Sequence, residues 1–127
     1  MSIKRIGVLT SGGDAPGMNP CVRAVVRTAI YRGIECYGIR RGWNGLINGD
    51  VVRLDEKSVA HTINRGGTIL YTARSQEFMT DEGRRRAVST CKFLGLDSII
   101  AIGGDGTFRG ARELSKYGVN VIGIPGT

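Results

Sequence analysis

No stretch of this sequence reads G-x-x-x-x-G-K-[ST], so a P-loop is excluded. No apolar run approaches the ~18 residues of a membrane span, and the first residues are strand-like rather than a charged-then-apolar signal. A cytoplasmic protein with no membrane partner is the expectation. Aromatic residues are only 6% of the chain and are not interleaved with basic ones, which leaves a base-stacking platform for nucleic acid unsupported. Three cysteines, Cys21, Cys36 and Cys91, are odd in number and lack metal-ligand spacing, so buried thiols are the default. Internal repeats and low-complexity segments are absent as well.

Glycine and arginine are what the chain has in excess. Its 20 glycines cluster at apparent strand ends without a period, which excludes collagen and a flexible linker. Of its 18 basic residues 14 are arginines, and the formal net charge is +7. Guanidinium groups suit bidentate binding of phosphate or carboxylate. Only Arg84-Arg85-Arg86 forms a basic run, and a solvated helix face accounts for it better than nucleic acid does. At 127 residues, with 41% hydrophobic and 23% charged residues, the chain is at most one globular domain.

Short apolar runs alternate with helical periodicity. Strands are expected at Arg5 to Thr10, Glu35 to Ile39, Val51 to Leu54, Ile69 to Tyr71, Ser98 to Ile102 and Val119 to Ile124. Helices are expected from Met18 to Arg32, Ser58 to Asn64, Asp81 to Leu94 (with Thr80 as N-cap) and Phe108 to Tyr117, with Gly33, Gly95 and Gly118 as stops. On the first helix, Val22, Val25, Val26, Ala29 and Ile30 form the apolar face. The Gly- and Asn-rich segment Arg41 to Asp50 reads as a loop. This alternation argues a Rossmann-like α/β three-layer sandwich on a mainly parallel sheet.

The segment Ile102-Gly103-Gly104-Asp105-Gly106-Thr107 runs from a strand into a helix. Glycines there let backbone N–H groups approach phosphates, the helix start favours negative charge, and one carboxylate suits Mg²⁺. A second reading keeps Asp105 as a helix cap and Gly106 as a turn former. The glycine-rich loop Ser11 to Gly17 also follows a strand, and ligands of such sheets bind beyond the strands' carboxyl ends. Arg23 and Arg27 lie four apart on a helix, where a bound anion would offset their repulsion; two solvent-screened arginines are the alternative.

Gly12-Gly13-Asp14-Ala15-Pro16-Gly17-Met18-Asn19, Asn64-Arg65-Gly66-Gly67-Thr68, Thr72-Ala73-Arg74-Ser75, Gly103-Gly104-Asp105-Gly106-Thr107 and Pro125-Gly126-Thr127 together resemble 6-phosphofructokinase, of the bacterial ATP-dependent type, in order and spacing. The resemblance implies the nucleotide-binding half of that fold, an incomplete ATP-binding domain over residues 1–127. It also implies transfer of the γ-phosphoryl group of ATP to the 1-hydroxyl of fructose 6-phosphate, with Mg²⁺ as cofactor. Carried over by position, Gly13, Trp43, Arg74, Ser75, Gly104, Asp105, Gly106 and Thr107 bind ATP and Asp105 holds the metal. Arg74 neutralises the transferring group, and Thr127 positions substrate. Trp43 stands where the family often has tyrosine. Gly106 and Gly126 match the ATP type, since pyrophosphate-using relatives carry an acid and a lysine there.

Arg23 and Arg27 match an effector site for ADP or phosphoenolpyruvate between subunits of a homotetramer. Glu56 and His61 depart from that pattern, standing where a basic residue and an acid are common. In the family Pro-Gly-Thr continues into Ile-Asp-Asn-Asp, whose first aspartate is the base, so the resemblance implies that the base lies past Thr127. A stand-alone, non-catalytic nucleotide-binding module is the competing expectation.

Overall fold

The computed structural model describes residues 3–11, 18–55, 57 and 77–126, without the side chains of Met18 and Asn19. Its described elements are β1 (Arg5–Thr10), α1 (Met18–Tyr31), β2 (Glu35–Ile39), α2 (Gly42–Asn48), β3 (Val51–Leu54), a single 3-10 turn (Glu77–Met79), α3 (Asp81–Leu94), β4 (Ser98–Gly103), α4 (Asp105–Ser115) and β5 (Val121–Pro125). The strands form one sheet in the order β3-β2-β1-β4-β5. All neighbours are parallel except β3, which runs antiparallel to β2 with Ile39 opposite Val51. The expected helix at Ser58 to Asn64 and strand at Ile69 to Tyr71 lie outside the described residues.

Alternation along β1 sorts the core into two layers. Ile6 and Val8 face α1, where Val22, Val26 and Ala29 pack with Cys36, Leu54 and Ile102. Leu9 faces the other way, toward Trp43, Leu46 and Ile47 of α2, Ala87 and Cys91 of α3, and Ala111 and Leu114 of α4. The sheet is therefore covered on both faces, as parallel sheets require. Ile30 falls off the buried face of α1 and is exposed, because the helix ends one residue later at Tyr31.

Local chemistry explains the helix bounds. Thr80 accepts the Gly83 N–H at 3.0 Å as N-cap of α3, Asp81 and Glu82 sit in the first turn, and Gly95 closes the helix at φ 68°. Two expectations are corrected. The segment from Arg41 to Asp50 is not a loop, because burial of Trp43, Leu46 and Ile47 draws Gly42–Asn48 into a helix despite its glycines. The last helix starts at Asp105, three residues before Phe108, because its first turn is built from the Gly-Asp-Gly-Thr segment itself.

The end of the sheet opposite the glycine-rich loops is tied by carboxylates. Asp97 accepts the backbone N–H groups of Lys4 (2.7 Å) and Arg5 (3.0 Å), which hold its carboxyl below the usual carboxylate range. A hydrogen bond from Arg5 Nε at 2.6 Å does the same for Glu35. With the folded values lowered, this stabilisation is present above the unfolded values near pH 4 and is lost as pH falls through the folded ones. Urea unfolding should show stability falling as pH drops below about 4, with a shallower fall in Asp97→Asn. An unchanged pH dependence in that variant would refute the role of Asp97.

Candidate functional site

In the strand order β3-β2-β1-β4-β5 the chain winds outward in both directions from β1 and β4. Open α/β sheets bind ligands at that reversal, beyond the carboxyl ends of the strands. Three strand ends meet there through the backbone. Thr10 is in register with Ile102, the Ser11 N–H donates to the Ile102 carbonyl at 2.9 Å, and the Gly126 N–H donates to the Gly103 carbonyl at 3.0 Å. The segments beginning at Ser11, Gly103 and Pro125 are thus brought to one edge of the sheet.

Gly103 is the residue that permits this closeness. A Cβ on it would stand 2.2 Å from Thr107 Oγ1 and 2.3 Å from the Ser11 carbonyl oxygen. A Cβ at Gly104 or Gly106 would meet nothing within 4 Å, so both border open space. Gly104 is the N-cap of α4 and supplies no side-chain cap, and the first intrahelical bond runs from the Phe108 N–H to the Gly104 carbonyl. The N–H groups of the first turn, at Asp105, Gly106 and Thr107, therefore have no intrahelical partner, which is the ordinary basis of anion binding at a helix start.

Asp105 does not cap this helix; it is the first helical residue, exposed, and no described residue pairs with its carboxylate. The Thr107 side chain is buried, and its Oγ1 has no hydrogen-bond partner among the described residues. Among the described residues no three metal-ligating side chains cluster. One exposed carboxylate among the described residues, beside N–H groups without intrahelical partners, suits a hard divalent cation that takes its other ligands from phosphate and water.

The remaining expected site residues fall in different places. Trp43 is only 5% exposed; its ring stacks on Phe78 with centroids 4.6 Å apart and planes 11° from parallel. Arg23 and Arg27 lie on α1, in the layer opposite α4, so they do not join the strand-end edge. Arg23 is half-buried, and its Nε has no partner among the described residues, whereas Arg27 is exposed. Gly13, Arg74, Ser75, Thr127, Glu56 and His61 lie outside the described residues.

Arg84-Arg85-Arg86 is less idle than a solvated face. Arg84 donates to the carbonyls of Phe78 and Met79, both at 3.0 Å, while Arg85 pairs with Asp81 and Arg86 with Glu77. Burial pushes the Cys36 thiol up to about 12 and that of Cys91 to about 11, which disfavours the reactive thiolate at both near neutral pH.

Strand order and the junction of three strand ends together define a doubly wound α/β domain. A family model described as phosphofructokinase matches residues 5–127, and the chain belongs to that family. Over 125 residues it is 55% identical to the ATP-dependent 6-phosphofructokinase of Shouchella clausii (strain KSM-K16), covering 98% of this chain and 39% of that relative. The ATP-dependent 6-phosphofructokinase of Clostridium botulinum (strain Hall) matches with the same identity and coverage. Among solved structures, Pichia pastoris phosphofructokinase in the T-state superposes with a TM-score of 0.92 at 36% identity, over 100% of this chain and 16% of that one. A pyrophosphate-dependent phosphofructokinase from Marinobacter aquaeolei, at 16% identity and TM-score 0.76 over 97% of this chain and 33% of that one, shares the fold. The chain spans 39% of the length of the curated relatives it matches.

Gly103 is more tightly enclosed than Gly104 or Gly106, its neighbours in the motif. Gly103→Ala should lower stability by about 1–3 kcal/mol in urea unfolding, the usual cost of overpacking. Gly104→Ala should stay within about 0.5 kcal/mol of the parent. Equal effects of the two substitutions would refute the close-approach role.

Proposed function

We propose that this chain supplies the MgATP site of an ATP-dependent 6-phosphofructokinase. The observation that carries this reading is the start of α4, where N–H groups without intrahelical partners and the exposed Asp105 carboxylate stand at the meeting of three strand ends. The N–H groups of residues 105–107 take the nucleotide's phosphate oxygens, and Asp105 holds Mg²⁺, which supplies charge neutralisation when bound. Gly104 and Gly106 leave the space that a nucleotide donor needs, which favours ATP over pyrophosphate. Gly13, Arg74 and Ser75 complete the phosphate contacts, and Thr127 positions substrate. Trp43 contributes from beneath, as packing.

The reaction is an in-line phosphoryl transfer: the 1-hydroxyl oxygen of fructose 6-phosphate bonds the γ-phosphorus, and the bond to the bridging oxygen of ADP breaks. Positioning and charge neutralisation carry most of such a reaction. The hydroxyl proton passes to a carboxylate base as the new bond forms. Arg23 and Arg27 form an anion site for ADP or phosphoenolpyruvate in the homotetramer. The buried Arg23 Nε without a described partner supports that assignment.

Calorimetric titration with MgATP tests the reading directly. Saturable binding is expected for the parent, and Asp105→Ala should lose the Mg²⁺ dependence of that binding. Absence of binding by the parent, or tighter binding of magnesium pyrophosphate than of MgATP, would sink the proposal. In the protein that carries this chain, turnover of MgATP and fructose 6-phosphate to fructose 1,6-bisphosphate separates an enzyme from a non-catalytic nucleotide-binding module. Arg23→Ala should alter the response to effector more than the maximal rate; an unaltered response would refute the effector assignment.

A further inference from the structure

Gly110 lies in the second turn of α4 and no motif accounts for it. Helix interiors disfavour glycine, so its presence there calls for a packing reason. A Cβ on Gly110 would stand 2.6 Å from Trp43 Nε1, 2.8 Å from Trp43 Cε2 and 3.2 Å from Phe78 Cε2. The missing side chain is therefore the space into which the stacked Trp43–Phe78 pair fits.

That pair is delivered by a turn held in an unusual conformation. Arg41 sits in the left-handed region at φ 62°, Gly42 follows at φ 57°, and Asp50 holds the turn by ion pairs to Arg40 at 2.8 Å and Arg41 at 2.6 Å. A non-glycine residue in that region persists only where its surroundings over-determine it. The turn seats the indole under α4, with Nε1 buried and without a described partner.

A helix moves as a rod. Gly110 is five residues beyond Asp105, about 7.5 Å along the axis, so the height of α4 above the sheet at Gly110 fixes where its first turn stands. We propose that Gly110 is a positioning residue: by admitting the Trp43–Phe78 wedge it sets the placement of the first-turn N–H groups and of Asp105. The proposal rests on the MgATP reading of that first turn and adds the element that aligns it.

Trp43 is the single tryptophan of the chain, so its emission reports the contact directly. Gly110→Ala is expected to shift that emission to the red and to weaken MgATP binding about tenfold, a loss of the size that a misplaced interaction produces. The double variant Gly110→Ala/Trp43→Leu, in which the added methyl has room, should recover most of the affinity. Parent-like emission in Gly110→Ala overturns the wedge, and shifted emission with parent-like affinity overturns the positioning role. Should Gly110→Ala fail to fold, Phe78→Leu, which thins the wedge, decides: unchanged MgATP affinity overturns the proposal, and weakened affinity supports it. A parent that binds no MgATP sinks the nucleotide reading and the positioning role with it, while the emission of Gly110→Ala still judges the wedge separately.

Discussion

Everything at the candidate site depends on the pairing of β1 with β4. Those strands are neighbours in the sheet although their paired residues, such as Ile6 and Ser98, are far apart in sequence. The pairing brings Ser11 beside Gly103, and the next strand brings Gly126 to the Gly103 carbonyl. Without it the chain would carry three unrelated glycine-rich turns. With it, the backbone N–H groups of one helix start face the same edge as two other strand ends, and the local field favours an anion.

Much of the arginine excess is taken up by the fold itself. Arg40, Arg41, Arg84, Arg85 and Arg86 hold turns and helix starts through carboxylates or carbonyl oxygens, and Arg5 ties β1 to Glu35 of β2. Most of those ion pairs are exposed, and each adds little to stability by itself. Their value is local geometry: the Asp50 pairs close the turn before α2, and Arg84 fixes the 3-10 turn that carries Phe78. Arginine abundance is thus only partly a sign of phosphate binding; Arg23, half-buried with its Nε unpartnered among the described residues, is not held in this way.

The strand-helix alternation was legible because each core strand is a short apolar run punctuated by glycine, and β1 and β2 fall where periodicity places them. The cap at Thr80 was legible from a side chain whose chemistry is local. Helix α2 was obscured by Gly42 and Gly45, whose low propensity is overridden by burial; the spacing of Trp43, Leu46 and Ile47 was the available signal. The antiparallel β3 was also recoverable, because only residues 40–50 separate it from β2, too few for an ordinary parallel crossover. At the site, the glycine motif identified the edge. The close contacts of Gly103 and Gly110 were hidden, since each depends on a side chain or carbonyl from another part of the chain.

The topology also has a kinetic side. The antiparallel β2–β3 pair closes a short loop, whereas β1 and β4 meet only after the intervening chain has been gathered. Loop-closure entropy makes distant parallel pairings slow to form relative to local ones. The junction at the candidate site is therefore assembled by the most topologically demanding contact in the sheet. A ligand that bridges the ends of β1 and β4 would act as a clamp on that late contact, slowing its opening and so lengthening the lifetime of the folded domain.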